Sequence, residues 1–227
     1  MKKLRLHEEI LLLALKDEEG TTYSGTSWPY AAGGAVLAEL LFEDRIRLED
    51  REGKKHLSLV NSTPLGEPVA DQVLEKIANA KKTADMTTWL GRVAGLKDLK
   101  HRIAEQLALK GVLRVETHKV MLIFSKRIYP ELNPAPELEI MLRVEHAVFS
   151  DESDLDARTS ILVSLAHVSG VLDPVFGKQR VTERRARLDK IAKDWPPAEA
   201  ARAAIEATRA AMTAVMAATV ATNVATH

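Results

Sequence analysis

The chain has 227 residues, with 32 lysines and arginines balanced by 32 aspartates and glutamates, and no cysteine. At about 150 residues per domain this length fits one large domain or two small ones, and 46% apolar with 28% charged residues supplies a core and a solvated surface, which excludes a disordered chain. The lack of cysteine excludes disulfides, thiolate zinc, iron–sulfur clusters and thiol nucleophiles, while zero formal charge excludes a chain-wide basic field but not a local patch.

Lys2, Lys3 and Arg5 precede the apolar run Ile10 to Leu15, as in a signal peptide, but the run stops at Lys16-Asp17-Glu18-Glu19, too soon for a cleavable leader. Glu8 to Lys16 reads instead as a first helix, ended by the turn signal that closes on Gly20. The loop Thr21 to Tyr30 is rich in Thr, Ser and Gly and carries Trp28-Pro29. A second helix is predicted over Ala31 to Phe42, with Val36, Leu37, Leu40 and Leu41 on one face. Arg45 to Glu49 and His56 to Val60 alternate polar and apolar residues around Asp50 to Lys54, the pattern of a β-hairpin.

The same unit recurs further on. Trp89 to Lys110 carries Leu96, Leu99, Ile103 and Leu107 at helical spacing, and Gly111 to Glu116 and Val120 to Phe124 follow as a second hairpin joined by Thr117-His118-Lys119. A third helix, Thr159 to Leu172, ends similarly in Ser169-Gly170-Val171-Leu172. Neither a lone helix nor a short hairpin can bury its apolar face, so these units are expected to stack around one core. The expected fold is mainly α: a single helical domain over 1–227 with short β-hairpins.

Between the later elements, the three prolines of Pro130 to Pro136 make a connector, and Ser153 or Asp154 in the acidic turn after Asp151 can cap the next helix. Trp195-Pro196-Pro197 separates the body from a final 30-residue segment with 13 alanines, expected to be a helix without strong anchoring. The uncharged stretch after Arg209 is long enough to cross a bilayer, but its Ala and Thr composition is too weakly apolar, so a docked helix and a cytoplasmic protein are expected.

Catalytic signatures are missing from the sequence. His7-Glu8 begins like a zinc-protease helix, yet position 11 is leucine where the second histidine must stand, so His7 reads as a capping or surface residue. Gly33-Gly34 lacks the spacing and the Lys-Ser/Thr of a phosphate loop, and His167 reads as a core histidine because no serine–acid pattern accompanies it. The Asp151, Glu152, Asp154, Asp156 cluster lacks the glycine and terminal glutamate of a calcium loop. No catalytic residue, metal site or cofactor is expected.

Charge placement says more. Arg92 to Lys110 holds five basic residues against two acidic, and Lys178 to Lys193 seven against two, whereas Glu131 to Asp156 holds eight acidic against one basic. Neutrality is therefore a cancellation between segments, and a basic side can approach phosphates. Lys97, Lys100 and His101 lie at helical spacing on one side of the predicted helix. Val120-Met121-Leu122-Ile123-Phe124 is apolar on both strand faces, which fits burial, a bilayer or a second subunit.

In these segments the chain resembles the Golgi phosphoprotein 3 family, peripheral membrane proteins that recognise phosphatidylinositol 4-phosphate. The resemblance rests on Leu6-His-Glu-Glu-Ile-Leu-Leu-Leu-Ala-Leu-Lys-Asp-Glu-Glu-Gly20, Ala38-Glu39-Leu40, Arg45 to Glu49, Leu107 to Leu113, Asp156-Ala157-Arg158 and Leu165 to Leu172. It spans about residues 4 to 176 in order; the last 50 residues match only loosely. It implies a mostly helical domain without enzymatic activity. Two of the arginines that bind the lipid phosphates in the eukaryotic relatives fall on Lys97 and Lys100, which keep the charge but lose the bidentate fork. The third falls at about Gly33, where the charge is lost, and Trp28 lies near the place of a lipid-binding tryptophan. The apolar hairpin of the relatives, which dips into the membrane or joins subunits, corresponds to Val120 to Phe124. Together these imply a peripheral, membrane-associated partner of anionic lipid with a homo-oligomeric option through the 112–124 hairpin, and Golgi sorting only in a eukaryotic cell. No nucleic-acid partner is expected, although helix-plus-hairpin units also build winged-helix modules and Lys178 to Lys193 is basic. A structural assembly protein is the other alternative.

Overall fold

In the computed structural model, which describes residues 3–16, 18–120, 124–151, 155–194 and 202–210, the chain folds around its own first helix. That helix, α1 (Leu6–Ala14), is buried along all nine residues. Past its first turn it is Ile-Leu-Leu-Leu-Ala, apolar around the whole circumference, so it has no solvated face to present. Packed against it are α2 (Trp28–Phe42), α5 (Leu99–Leu109), α6 (Ala135–Phe149), α7 (Ala157–Val168) and α8 (Leu172–Phe176). α3 (Pro68–Ala78) and α4 (Met86–Ala94) flank α2, and α9 (Lys178–Glu183) and α10 (Arg185–Asp194) follow α8. The fold is mainly α with small antiparallel strands, as the sequence predicts.

The repeated helix ending is real at the level of single hydrogen bonds. α2, α5 and α7 each close on a residue with positive φ: Asp44 (50°), Gly111 (73°) and Gly170 (72°). In each case the next N–H reaches the carbonyl five residues back, Arg45 to Leu40, Val112 to Leu107 and Val171 to Ala166, all at 2.9 Å. These are three Schellman caps, and each turns the chain sharply off its helix. After the first cap, β1 (Ile46–Arg51) pairs with β2 (Lys54–Leu59), and β3 (Ala84–Asp85) adds to β2. Glu52 and Gly53 form its two-residue turn, both at positive φ, a tighter connection than the five-residue turn predicted. After the second cap comes the hairpin of β4 (Glu116–Val120) and β5 (Phe124–Ile128).

Several expectations are corrected. Trp89 to Lys110 is two helices, because Gly95 ends α4 and Asp98 adopts a left-handed φ of 59° before α5. Lys97 therefore lies in a turn. The second hairpin is shifted along the chain: Thr117-His118-Lys119 is strand, paired with Arg127-Lys126-Ser125, and Val120 and Phe124 form the last described pair. Met121, Leu122 and Ile123 lie outside the described residues. The cap of α7 is Asp156, whose Oδ1 accepts the Thr159 N–H at 2.9 Å; Ser153 and Asp154 lie outside the described residues. Residues 202–210 form a further helix and are better anchored than their alanine content suggests, with Ala203, Ala204, Ile205, Ala207 and Thr208 buried. Gly34 makes room for that helix, since a Cβ there would stand 2.6 Å from the Thr208 hydroxyl. The rest of the alanine-rich segment lies outside the described residues.

Candidate anion-binding site

Charge collects in two places. The first is the start of α1. Glu8 turns back to accept the Arg5 N–H at 2.7 Å and receives Lys110 Nζ at 2.7 Å on each oxygen. Glu9 is held by Arg143 at 2.6 Å and Arg158 at 3.0 Å. Glu39, on α2, accepts the Leu6 N–H at 2.8 Å, lies 3.1 Å from His7 Nδ1 and 3.7 Å from Arg158. His7 is wholly buried, not a surface residue: the polar first turn of α1 is carried inside by the apolar turns behind it. Burial pushes the Glu9 carboxyl up despite its two arginines. Glu39 is also penalised by burial, but its contacts with His7, Leu6 and Arg158 outweigh that and hold it below the ordinary carboxylate range.

The second is a surface at the joint of α3, α4 and α5. α4 is capped by Asp85, which accepts the Thr88 N–H at 2.7 Å, and it buries Met86, Trp89, Leu90 and Val93, so Arg92 is left outside. α3 buries Val69, Val73, Leu74 and Ile77, which leaves Lys76 exposed beside the α4–α5 turn. Two depressions meet there and share Lys76, Leu96 and Lys97. One, of about 590 Å³, adds Gln72, Asp98, His101, Arg102, Glu105 and Arg127. The other, of about 750 Å³, adds Lys81, Lys82, Trp89 and Arg92, and no carboxylate lines it among the described residues. Behind the first, His101 Nδ1 lies 2.6 Å from the Tyr129 hydroxyl. Burial, then Lys100 and Arg127, push the imidazole pKa below its ordinary value.

The sequence-predicted residues are distributed unevenly over this surface. Lys97 is exposed and central to both depressions. Lys100 is half-buried, lines neither, and sets its Nζ 5.8 Å from the centre of the Tyr129 ring. Trp28 is a buried core residue at the start of α2, only 8% exposed, and lines neither depression. At Gly33 a Cβ would stand 3.1 Å from the Leu90 side chain, so α2 and α4 leave no room for a long cation there. Val120 and Phe124 belong to the hairpin whose strand β5 also carries Arg127, a lining residue of the first depression. Sequence reasoning did not single out Lys76, Lys81, Lys82, Trp89, Arg92, Arg102 or Arg127, which come from five separate segments. The one local signal was the Lys81-Lys82 pair just ahead of the Asp85 cap.

Two other expectations are settled by geometry. His167 is half-buried, with burial as the main cause that pushes its imidazole down. The basic stretch Lys178 to Lys193 spends much of its charge on structure: Arg184 donates to the Val148 and Ser150 carbonyls, Arg187 to that of Ala147, and Arg180 stacks 4.5 Å over Phe149. These arginines close the C-terminal end of α6, where free carbonyls favour cations. Among the described residues no helix is long and apolar enough to cross a membrane, and no group of three or more His, Asp or Glu could hold a metal.

The described residues thus form a helical protein wound about a buried helix, with a lysine-rich surface depression. Residues 6–208 match the sequence pattern of the Golgi phosphoprotein 3 (GPP34) family, and the chain belongs to that family. It is also similar to vacuolar protein sorting-associated protein 74 of Schizosaccharomyces pombe, with 25% identity over 232 aligned residues that cover 86% of this chain and 68% of the relative.

Proposed function

We propose that this protein is a peripheral membrane-associated binding protein, without catalytic activity of its own, that recognises anionic phosphoinositide-type lipid headgroups at the start of α5. The observation that carries this reading is Lys97, an exposed cation at the meeting point of two depressions, with Lys76 and Arg102 close by. Family membership supports it. Lys100 lies one helical turn beyond, over the Tyr129 ring, where it adds charge to the rim. Each basic residue near an anionic surface contributes about 1 kcal/mol, so Lys97 and Lys100 alone give a weak, reversible contact. A second attachment would come from the apolar hairpin residues Val120 to Phe124, through the bilayer or through pairing with another subunit.

Vesicle flotation tests the reading. Wild-type protein is expected to float with vesicles that contain phosphatidylinositol 4-phosphate and to stay behind with neutral phosphatidylcholine. Lys97→Ala/Lys100→Ala is expected to lose about 2 kcal/mol, roughly a thirtyfold fall in partitioning. Equal partitioning of both proteins onto both vesicles would overturn it.

A further inference from the structure

The depression between the α3–β3 connection and the α4–α5 turn has a composition unlike the rest of the surface. Five cations line it: Lys76 from α3, Lys81 and Lys82 from the connection, Arg92 from α4, and Lys97 from the turn. None of the four lysines has an acidic partner among the described residues. Lys16, Lys55 and Lys110, by contrast, are paired with Glu19, Asp50 and Glu8. Five like charges around one space repel one another, and the residues that line this space include no carboxylate to relieve them.

An independent observation points the same way. Trp89 lines the depression, is only 3% exposed, and its indole Nε1–H is buried without a hydrogen-bond partner. Arg92 lies over its ring, 4.6 Å from the centroid. The same residue thus brings to the wall of this depression both an indole N–H without a protein partner and a ring under Arg92. An oxyanion in the depression relieves the repulsion among the five cations. Among oxyanions a phosphoryl group suits this wall best, because its three terminal oxygens can meet several ammonium point charges and one guanidinium fork together, where a carboxylate has two.

We infer that this depression is a phosphoryl subsite in its own right, and that with the neighbouring depression, joined to it through Lys76 and Lys97, it takes a ligand that carries two phosphoryl groups. One group meets Lys81, Lys82 and Arg92; the other meets Arg102, with Lys76 and Lys97 between them. The subsite adds to the headgroup reading of the Lys97–Lys100 surface and does not depend on it, since a soluble bisphosphate and a bisphosphorylated headgroup offer the same chemistry.

The indole N–H resonances of the full chain test this directly. It has three tryptophans, and Trp89→Phe assigns the Trp89 signal. Titration with pyrophosphate is expected to move that signal to saturation. Lys81→Ala/Lys82→Ala, at two exposed positions, is expected to weaken pyrophosphate at least tenfold, while Lys178→Ala, exposed on α9 and outside both depressions, changes it less than twofold. Orthophosphate is expected to bind at least tenfold more weakly than pyrophosphate. An unmoved Trp89 signal, or equal affinity in wild type and the Lys81/Lys82 variant, would overturn the subsite. Orthophosphate that binds as tightly as pyrophosphate would overturn the two-group ligand. Vesicles of phosphatidylinositol 4-phosphate and 4,5-bisphosphate at matched total charge identify the source. A preference for the bisphosphate that the Lys81/Lys82 variant abolishes assigns a lipid. No preference, with pyrophosphate binding intact, assigns a soluble ligand, and both outcomes support the subsite. Loss of vesicle binding in Lys97→Ala/Lys100→Ala alone speaks to the headgroup reading and leaves the pyrophosphate result standing.

Discussion

The start of α1 and the joint of α3, α4 and α5 are both rich in charge, but they use it in opposite ways. At α1, Glu8, Glu9 and Glu39 are buried and each meets a cation at 3.7 Å or closer. At the joint, Lys76, Lys81, Lys82 and Lys97 are exposed and meet no acid among the described residues. The division of labour follows side-chain chemistry. Arginine's planar, weakly hydrated fork serves the interior, where Arg143 and Arg158 clamp Glu9 between them. Lysine's hydrated point charge dominates the surface depression, with Lys110 the exception that pairs with buried Glu8. Buried charge holds the fold together; unpaired surface charge is free to meet a ligand.

The contrast can be broken by substitution, and the largest effect is expected inside. Arg158→Ala removes a partner of both Glu9 and Glu39 and is expected to cost about 3–5 kcal/mol in chemical denaturation, because it strands buried charge. A loss under about 1 kcal/mol would mean that Arg143 suffices and that the cluster is not a unit. Gly20→Ala is next, at about 2–3 kcal/mol: the residue has a φ of 58°, and its Cβ would stand 2.4 Å from the Tyr129 nitrogen.

Glu39→Gln sharpens the comparison through pH. At pH 7 it is expected to cost about 1–3 kcal/mol. The folded-state pKa of Glu39 lies below its ordinary value of 4.5, so its contribution is present above that pH and is lost as pH falls further. The gap between wild type and variant in thermal melts should therefore narrow below pH 4.5; a constant gap would show that the carboxylate charge is not what stabilises. Glu9 has the opposite sign: raised by burial, it withholds stability as pH climbs above 4.5. The smallest expected effect belongs to the surface. Lys97→Ala/Lys100→Ala should shift stability by no more than about 0.5 kcal/mol while it lowers vesicle binding. A large stability loss there would erase the contrast.

The same division explains what could be read in the sequence. The segments that carry the family resemblance contain His7, Glu8, Glu9, Glu39, Lys110 and Arg158, and these are the residues that pair with one another around α1. The resemblance therefore spoke mainly for the fold. The helix endings at Gly111 and Gly170 were legible because a Schellman cap is a local device with a local signal. The break between α4 and α5 was not, since Leu96, Leu99, Ile103 and Leu107 keep a helical rhythm across it, while Gly95 ends one helix and Asp98's left-handed backbone precedes the next. The second hairpin was misplaced because an apolar run looks like a strand wherever it falls, whereas register is decided by pairing with a distant partner. At the site, Lys97 stood out through local charge. Trp89's unpaired N–H and the convergence of Lys76, Lys81 and Arg92 exist only once three elements have packed.

The turn that closes α1 reaches further than its place in the chain suggests. Gly20 lies against the backbone of Tyr129 and Pro130, and its carbonyl accepts the Tyr129 N–H at 3.1 Å. Tyr129 is in turn the ring beneath Lys100 and the hydroxyl partner of His101. An insertion or epitope tag placed in this turn would therefore disturb the packing behind His101 and Lys100. Loop length between the first two helices becomes a design variable for the proposed anion-binding surface, adjustable without any change to Lys97 or Lys100.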